Sequence, residues 1–434
     1  MTDSRLIVYL DGTRTGVLAQ SSQGRVSFAY DDEYRLRRAV TPLSLSMPLS
    51  RAAHSPKAVR AFIAGLLPDS ERALERLGRK YSVSPNNPFA LLRHIGMDAA
   101  GAVQVLPEDV HATDAATRQG DVEWLEDDAL DATLAELARS PETWDPGRDT
   151  GRWSLAGTQS KVALFRSDEG RWGIPRDSTP TTHILKPSMP NYDGHHLNEH
   201  LCLRAAQLAG LPAARTEILR SDRFEVLISH RYDRRTVDGR WQRLHQEDLC
   251  QALSVHPIKR YQSDGGPGVG DIADLFARSM SSRSRQDNAR RLFDYLVYNV
   301  AIGATDAHAK NFSVLLGATG VVRLAPLYDV ATILPYDRAP NLKSAMKIGD
   351  TWELGKVSTK DWTTVGARLG IPRDEAVHRA ETVRAAVPAA FQTAATENAV
   401  PNALRDRAAY IAELVTVHVE GRRDQWGRVA VAGP

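Results

Sequence analysis

Gly303-Ala304-Thr305-Asp306-Ala307-His308-Ala309-Lys310-Asn311-Phe312-Ser313-Val314-Leu315-Leu316 is a polar loop set between two apolar elements. Upstream, Leu292, Phe293, Leu296, Val297 and Val300 recur at helical spacing and predict one buried face of a helix from Asp287 to Ile302. Downstream, Ser313 to Leu316 predicts a strand. A loop anchored at both ends holds its side chains in fixed positions, and this one carries a carboxylate, an imidazole, an ammonium and an amide within six residues.

Asp306 and Asn311 have the spacing of a protein-kinase catalytic loop, in which the Asp accepts the substrate hydroxyl proton and the Asn five residues on holds magnesium. Taken alone, the spacing also fits an Asp that caps a turn. A second carboxylate, Asp329, follows the apolar stretch Val321-Val322-Arg323-Leu324-Ala325-Pro326-Leu327-Tyr328. In a kinase the corresponding Asp binds the magnesium that bridges the nucleotide phosphates. Two acids and an amide around one predicted hairpin point to a metal-phosphate site, because magnesium takes hard oxygen ligands and few of them.

An earlier strand-rich region supplies residues of the other kind. Lys161 to Phe165 and Arg171 to Ile174 predict a hairpin turning at Ser167-Asp168-Glu169-Gly170, and Thr182 to Lys186 a strand stopped by Pro187. A helix with Leu197, Leu201, Ala205 and Leu208 on one stripe follows, ending near Gly210, and Phe224 to His230 reads as a buried strand. Lys186 at a strand end, paired to Glu199 on the next helix, is the arrangement by which a kinase lysine grips the α and β phosphates; a surface salt bridge or no pair at all is the other reading. Before the hairpin lies Ser154-Leu155-Ala156-Gly157-Thr158-Gln159-Ser160-Lys161, with a single glycine and neither a G-x-G-x-x-G nor a Walker motif. Backbone amides around Gly157 and the charge of Lys161 still suit phosphate. His230-Arg231-Tyr232 sits where a hinge between lobes meets an adenine ring, with core packing as the alternative for Tyr232.

The whole chain of 434 residues is long enough for two or three domains. The net charge of +2 gives no footprint of a dedicated nucleic-acid binder. No apolar run is long enough to span a bilayer and the start is polar, so the expectation is a cytoplasmic protein without membrane contact. Cys202 and Cys250 are far apart and lack a partner motif, which excludes a disulfide framework or a cysteine zinc site. His195, His196 and His200 invite a metal reading, but no H-E-x-x-H and no third ligand accompany them. Arg278, Arg283, Arg285, Arg290 and Arg291 are read as a solvated helix start rather than a phosphate or nucleic-acid patch.

Toward the N-terminus, short strands are predicted across Leu6 to Tyr30, helices across Ala58 to Tyr81 with a break and N-cap at Pro68-Asp69-Ser70, a third helix over Phe89 to Ile95, and a strand over Ala102 to Leu106. Residues 107–150 carry 13 acidic residues against Arg118, Arg139 and Arg148 and are read as a linker. Trp124, Leu125, Leu130, Leu134 and Leu137 make an amphipathic helix within it. The organisation is therefore an α+β region over 1–106, the acidic linker over 107–150, a strand-rich region over 151–245 and a mostly helical region over 246–434.

Along nearly its whole length the chain resembles the HipA family of bacterial toxin serine/threonine kinases. The resemblance rests on Pro42 to Leu49, Gly65 to Ser70, Gly101 to Gln104, Ser154 to Lys161, Thr181 to Lys186, Gln246-Glu247-Asp248, Ser263 to Gly268 and Gly303 to Asn311. It implies a bilobal, protein-kinase-like α+β fold with an N-terminal α+β subdomain and a mostly helical C-terminal lobe. It also implies Asp306 as catalytic base, Asn311 and Asp329 as magnesium ligands, and Lys186 at the ATP phosphates. The loop Ala156, Gly157, Thr158, Gln159, Ser160 and Lys161 would cover those phosphates, His230, Arg231 and Tyr232 would form the adenine hinge, and His308, Lys310 and Tyr328 would complete the nucleotide site. Ser154 matches the family's autophosphorylation serine, whose modification ejects the phosphate-binding loop. Family members phosphorylate protein targets, in known cases aminoacyl-tRNA synthetases, which arrests growth and gives drug tolerance. They pair with HipB, a helix-turn-helix antitoxin, in a DNA-bound repressor complex. A small-molecule kinase and a catalytically silent co-repressor are the rival readings.

Overall fold

The structure, a computed structural model, describes residues 4–110, 112, 120–139, 149–189, 192–337 and 341–421. It divides into two compact units that interleave along the chain: Met1–Asn191, Leu219–Arg260 and Ser313–Ala325 form the first, and Tyr192–Ile218, Tyr261–Phe312 and Pro326–Pro434 the second. Of the predicted linker, residues 111, 113–119 and 140–148 lie outside the described residues.

In the first unit an antiparallel sheet runs Val26–Tyr30, Thr13–Gln20, Ser4–Leu10, Val103–Pro107 in spatial order. Alternation along Val26–Tyr30 turns Val26, Phe28 and Tyr30 inward, as a one-sided sheet requires. The covering helices start where capping residues predict. Ser55 accepts from Ala58 N to open Pro56–Gly65, Ser70 from Ala73 N to open Glu71–Tyr81, and Asn87 from Ala90 N to open Pro88–Ile95. Leu6, Val8, Phe28, Phe62, Leu66, Leu92 and Val105 fill the core between sheet and helices.

A second sheet includes, in spatial order, Glu225–His230, His183–Pro187, Val162–Arg166, Trp172–Pro175 and Val122–Trp124. The predicted hairpin is present, with Phe165 opposite Gly173 and Arg166 opposite Trp172. The described part of 107–150 joins this sheet: Val122–Trp124 adds an edge strand, and helix Asp127–Arg139 buries Leu130, Leu134 and Leu137 against Val162, Leu164, Ile174 and Leu185. Its acidic residues occupy the wet face, so the charge run and the leucine stripe describe two sides of one helix. Strand Trp153–Ser154 pairs in parallel with Asp98–Ala99, and Ser313–Leu316 pairs antiparallel with His245–Asp248.

The second unit is mostly helical. Helix Arg373–Thr396 packs against His195–Leu208, Ser282–Ala301, Thr359–Leu369 and Arg405–Glu420. The predicted face of Ser282–Ala301 is buried through Leu292, Phe293, Leu296, Val297 and Val300, with Phe293 edge-on to the buried Trp362. Arg290 of the same helix donates to Glu375 at 2.6 Å, which gives the arginine-rich stretch an internal partner. Both cysteines are free and buried. Among the described residues no helix is long and apolar enough to cross a membrane.

Candidate active site

In the second unit, the chain leaves helix Ser282–Ala301 through Gly303, whose φ of +71° is the left-handed turn that favours glycine. A Cβ there would also meet Leu334 at 3.0 Å. Ala304 N donates to Asn299 O at 2.8 Å, tying the loop to the helix end. Asp306 follows, its side chain 62% exposed and its backbone oxygen accepting from His308 N and from Asn311 Nδ2, both at 2.8 Å. Tyr261 donates its hydroxyl to Asp306 Oδ1 at 2.5 Å. His308 is buried, with Nε2 3.9 Å from Oδ1 and its ring edge-on to Tyr261 at 4.8 Å.

The same unit brings Tyr328 and Lys310 together: the Tyr328 hydroxyl donates to Lys310 O at 2.8 Å, and the Lys310 side chain is buried. The segment before Tyr328 is fixed by a parallel bridge between Ala213 and Leu327. Asp329 then adopts φ +52°, a left-handed conformation uncommon outside glycine and most accessible to Asn and Asp. Such conformations persist where the surrounding structure holds them, and they concentrate at functional turns.

The first unit holds the other predicted residues. Ser154 is 1% exposed and donates to Leu66 O at 2.7 Å. After it the loop folds around Lys161, which is 4% exposed and donates to Ala156 O at 2.6 Å. Gly157 takes φ +110°, and a Cβ there would lie 2.4 Å from Lys161 Nζ, so only glycine fits. Asp69 N donates to Gly157 O at 2.9 Å and Gln159 Nε2 to Pro187 O at 3.1 Å, which pins the loop at two points. Thr158 lies between these anchors. Lys186 is buried on strand His183–Pro187, opposite Leu227. Its proposed partner Glu199 is buried on helix His195–Leu208 of the second unit.

In the segment predicted to meet the adenine ring, His230 Nδ1 lies 3.1 Å from His183 Nε2. Arg231 and Tyr232 spend their side chains on the fold. The Arg231 guanidinium binds Asp98 and Asp233, its N–H donates to Thr182 O at 3.0 Å, and its carbonyl accepts from Arg234 N at 3.2 Å. Tyr232 donates to Gln246, and burial pushes its hydroxyl pKa up. Arg231 belongs to a cluster with Asp98, Asp233, Arg234 and Arg243, all with side chains 7% exposed or less. Burial alone would raise Asp98, but Arg234, Arg243 and Arg231 outweigh it and hold the carboxyl well below the usual range. Sequence reading missed this cluster and Tyr261 alike, since their partners are distant in the chain.

The histidines singled out by spacing have a structural setting: His200 Nδ1 lies 2.9 Å from Thr216 Oγ1, and burial pushes its pKa down to about 4. Among the described residues no group of three or more His, Cys, Asp or Glu is arranged to hold a metal ion. A nucleotide with magnesium suits the residues present in a different way. Asn311 commits its amide nitrogen to Asp306 O, which leaves its amide oxygen, a hard donor of the kind magnesium takes, uncommitted by that bond. Ser160 Oγ is buried without a hydrogen-bond partner, a hydroxyl that a phosphate oxygen would satisfy.

These units have the α+β, protein-kinase-like fold, with the phosphate-type loop on a strand-rich unit and the Asp-x4-Asn loop on a helical one. The chain belongs to the HipA family: residues 6–106 match the HipA N-terminal domain and residues 153–391 the HipA-like C-terminal domain. It is 37% identical over 374 residues to the Sinorhizobium fredii protein Y4mE, covering 86% of this chain and 87% of that one. It is 29% identical to the serine/threonine-protein kinase toxin HipA of Shewanella oneidensis, covering 81% and 80%. Its fold matches the Shewanella oneidensis HipA of a HipA, HipB and operator DNA complex with a TM-score of 0.80 at 23% identity, over 96% of this chain and 97% of that one.

Proposed function

We propose that the chain is a toxin kinase that transfers the γ-phosphoryl group of ATP to a serine or threonine hydroxyl of a protein. The observation that carries this reading is the Asp306 loop: an exposed carboxylate whose backbone is tied by His308 and Asn311 and whose Oδ1 is held by Tyr261. The acceptor hydroxyl gives its proton to Asp306 as its oxygen bonds to the γ-phosphorus, and the bond to the β-phosphate oxygen breaks to release ADP. Lys161, Ser160 and the amides around Gly157 bind phosphate oxygens, Lys186 adds positive charge, and the Tyr232 segment borders the base. Magnesium, taken by Asn311 and Asp329, would neutralise the phosphates as the charge shifts.

Self-inactivation by phosphate on Ser154 is part of this proposal, and the setting of Ser154 supports it. Leu66 closes helix Pro56–Gly65 at its C-terminus, and its carbonyl is the acceptor for the Ser154 hydroxyl. A phosphate there would bring nearly two negative charges against a helix C-terminal carbonyl, which repels it. The strand Trp153–Ser154 then leaves Asp98–Ala99 and takes the phosphate loop with it. A HipB-like helix-turn-helix antitoxin is the proposed neutralising partner and reads DNA on behalf of the pair. An aminoacyl-tRNA synthetase is the proposed target, with growth arrest as the outcome and the cytoplasm as the place. The Shewanella oneidensis relative assembled with HipB and operator DNA supports the partnership.

The test is intact mass and peptide mapping of unphosphorylated wild type and Asp306→Ala after incubation with magnesium and ATP. One phosphate at Ser154 in the wild type alone is the expected result. Phosphate on the Asp306→Ala chain at the wild-type rate overturns the assignment of the base, and absence of ATP binding moves the reading to a silent co-repressor.

A further inference from the structure

Tyr261 holds Oδ1 of Asp306, and its hydroxyl makes the shortest described contact to that carboxylate, at 2.5 Å. Its ring is held edge-on against the buried His308 at 4.8 Å. Its backbone is fixed as well: Tyr261 O accepts from Asp264 N at 3.1 Å and from Gly266 N at 2.9 Å. The next residue, Gln262, accepts from Lys347 N at 2.8 Å through Oε1. The phenol is therefore anchored at ring and backbone and aimed at one carboxylate oxygen.

A carboxylate on an exposed loop rotates about its last torsion, and each orientation offers a different oxygen to an incoming hydroxyl. A fixed donor on Oδ1 removes that freedom. It leaves Oδ2 as the oxygen that takes a proton, and Asn311 holds the backbone of the same residue. We propose that Tyr261 is the positioning residue of the phosphotransfer site, setting which oxygen of Asp306 acts as base. This rests on the reading of Asp306 as the base. The tyrosine takes no proton and no phosphate; it stays a hydrogen-bond donor throughout, and the proton from the acceptor hydroxyl goes to Oδ2.

The contact has a second chemical meaning, which the same experiment separates. A hydroxyl at hydrogen-bond distance from a base is also where an acceptor would sit. A phenol merely occupying the acceptor position would be displaced by substrate, and its removal would speed the reaction or leave it unchanged. A positioning phenol is needed during the reaction, and its removal slows it.

Full-length wild type, Tyr261→Phe, Asp306→Ala and the double variant are compared in single-turnover phosphoryl transfer from ATP and magnesium, with the chain itself and casein as acceptors. Phenylalanine keeps the ring contact with His308 and deletes only the donor. Tyr261→Phe is expected to lower the saturating rate about 10- to 100-fold, the loss of one hydrogen bond to a charged group. The ATP concentration giving half the maximal rate stays as in the wild type, and Tyr261→Phe added to Asp306→Ala changes the residual rate no further. A damaged fold would instead raise the half-saturating ATP and slow the double variant below Asp306→Ala. That result overturns the proposal, as does an unimpaired or faster Tyr261→Phe or phosphate mapped to Tyr261. A wild type that binds ATP but transfers nothing breaks the reading of Asp306 itself. An active wild type with a silent Asp306→Ala and an unimpaired Tyr261→Phe breaks only the role of Tyr261.

Discussion

Asp98 and Asp306 are carboxylates of the same chain put to opposite uses. Asp98 in the first unit is 7% exposed at its side chain and meets Arg231, Arg234 and Arg243 within 3.2 Å. Asp233 adds a second carboxylate to Arg231 and Arg234, and Asp11 a third at 3.5 Å from Arg243. The cluster thus sets three guanidiniums against three carboxylates. Asp306 in the second unit is 62% exposed, and its side-chain contacts leave an oxygen for chemistry. Saturation by partners marks a carboxylate that holds the fold. A carboxylate oriented but not saturated is one that can still accept a proton.

The comparison breaks if the two sites respond alike to loss of the acid. Asp98→Ala strands buried guanidiniums and should destabilise by about 3–5 kcal/mol, the range for breaking a buried ion pair from one side. Asp306→Ala removes an exposed side chain and should leave stability within about 0.5 kcal/mol while phosphoryl transfer is lost. Urea unfolding of the two variants beside the wild type reads the first quantity, and ATP-dependent labelling the second. An Asp98→Ala chain as stable as wild type would show the cluster to be dispensable, and an unfolded Asp306→Ala would give the exposed acid a structural role.

The contrast also explains what was legible in the sequence. The Asp306 loop could be read because its apolar flanks are adjacent in the chain, and Asp-x4-Asn is a local spacing. The hairpin Val162–Arg166 with Trp172–Pro175, the buried stripe Leu197, Leu201 and Ala205 of helix His195–Leu208, from which the predicted Leu208 departs as an exposed residue, and the cap at Ser70 are local in the same way. The Arg231 cluster could not be read: Asp98 lies 133 residues from Arg231, and an arginine in a predicted hinge carries no sign of a buried partner. Tyr261 and Asp306, 45 residues apart, share no periodicity either. Strand Val122–Trp124 is too short for alternation to show, so only the neighbouring charge run was conspicuous. The interleaving of the units is hidden for a related reason, because strand Ser313–Leu316 finds its partner His245–Asp248 only through tertiary pairing.

A further acid, this one buried, sharpens the rule that saturation decides use. Glu247 accepts from Leu45 N at 2.7 Å but has no arginine in its described contacts, and burial pushes its pKa up to about 8. The unfolded chain releases this proton near the ordinary glutamate value, so between there and about pH 8 the native state binds the extra proton. Native stability from this group is complete below that lower value and is lost as pH rises through the folded pKa. Glu247→Gln keeps the acceptor for Leu45 and removes the titration. Its melting temperature should exceed that of wild type at pH 9 and approach it at pH 5, as followed by thermal unfolding across that interval. Equal pH profiles for the two would place Glu247 among the paired acids.

The smallest effect belongs to a residue of neither kind, within the first unit. Ser154 is neutral, 1% exposed, and spends its hydroxyl on Leu66 O at a helix end. Ser154→Ala deletes one donor and leaves a carbonyl unsatisfied at a helix terminus that already lacks intrahelical partners, a cost of about 1 kcal/mol. Ser154→Glu fails in a different manner, because the added charge faces the negative end of helix Pro56–Gly65. Hydrogen exchange across residues 153–161 separates the two. Alanine should leave the loop protected, since the Asp69 to Gly157 and Gln159 to Pro187 bonds remain, whereas glutamate should release it. Equal protection in both variants would mean that charge at position 154 does not reach the loop 156–161, and that the proposed silencing by phosphorylation would need a route other than loss of strand Trp153–Ser154.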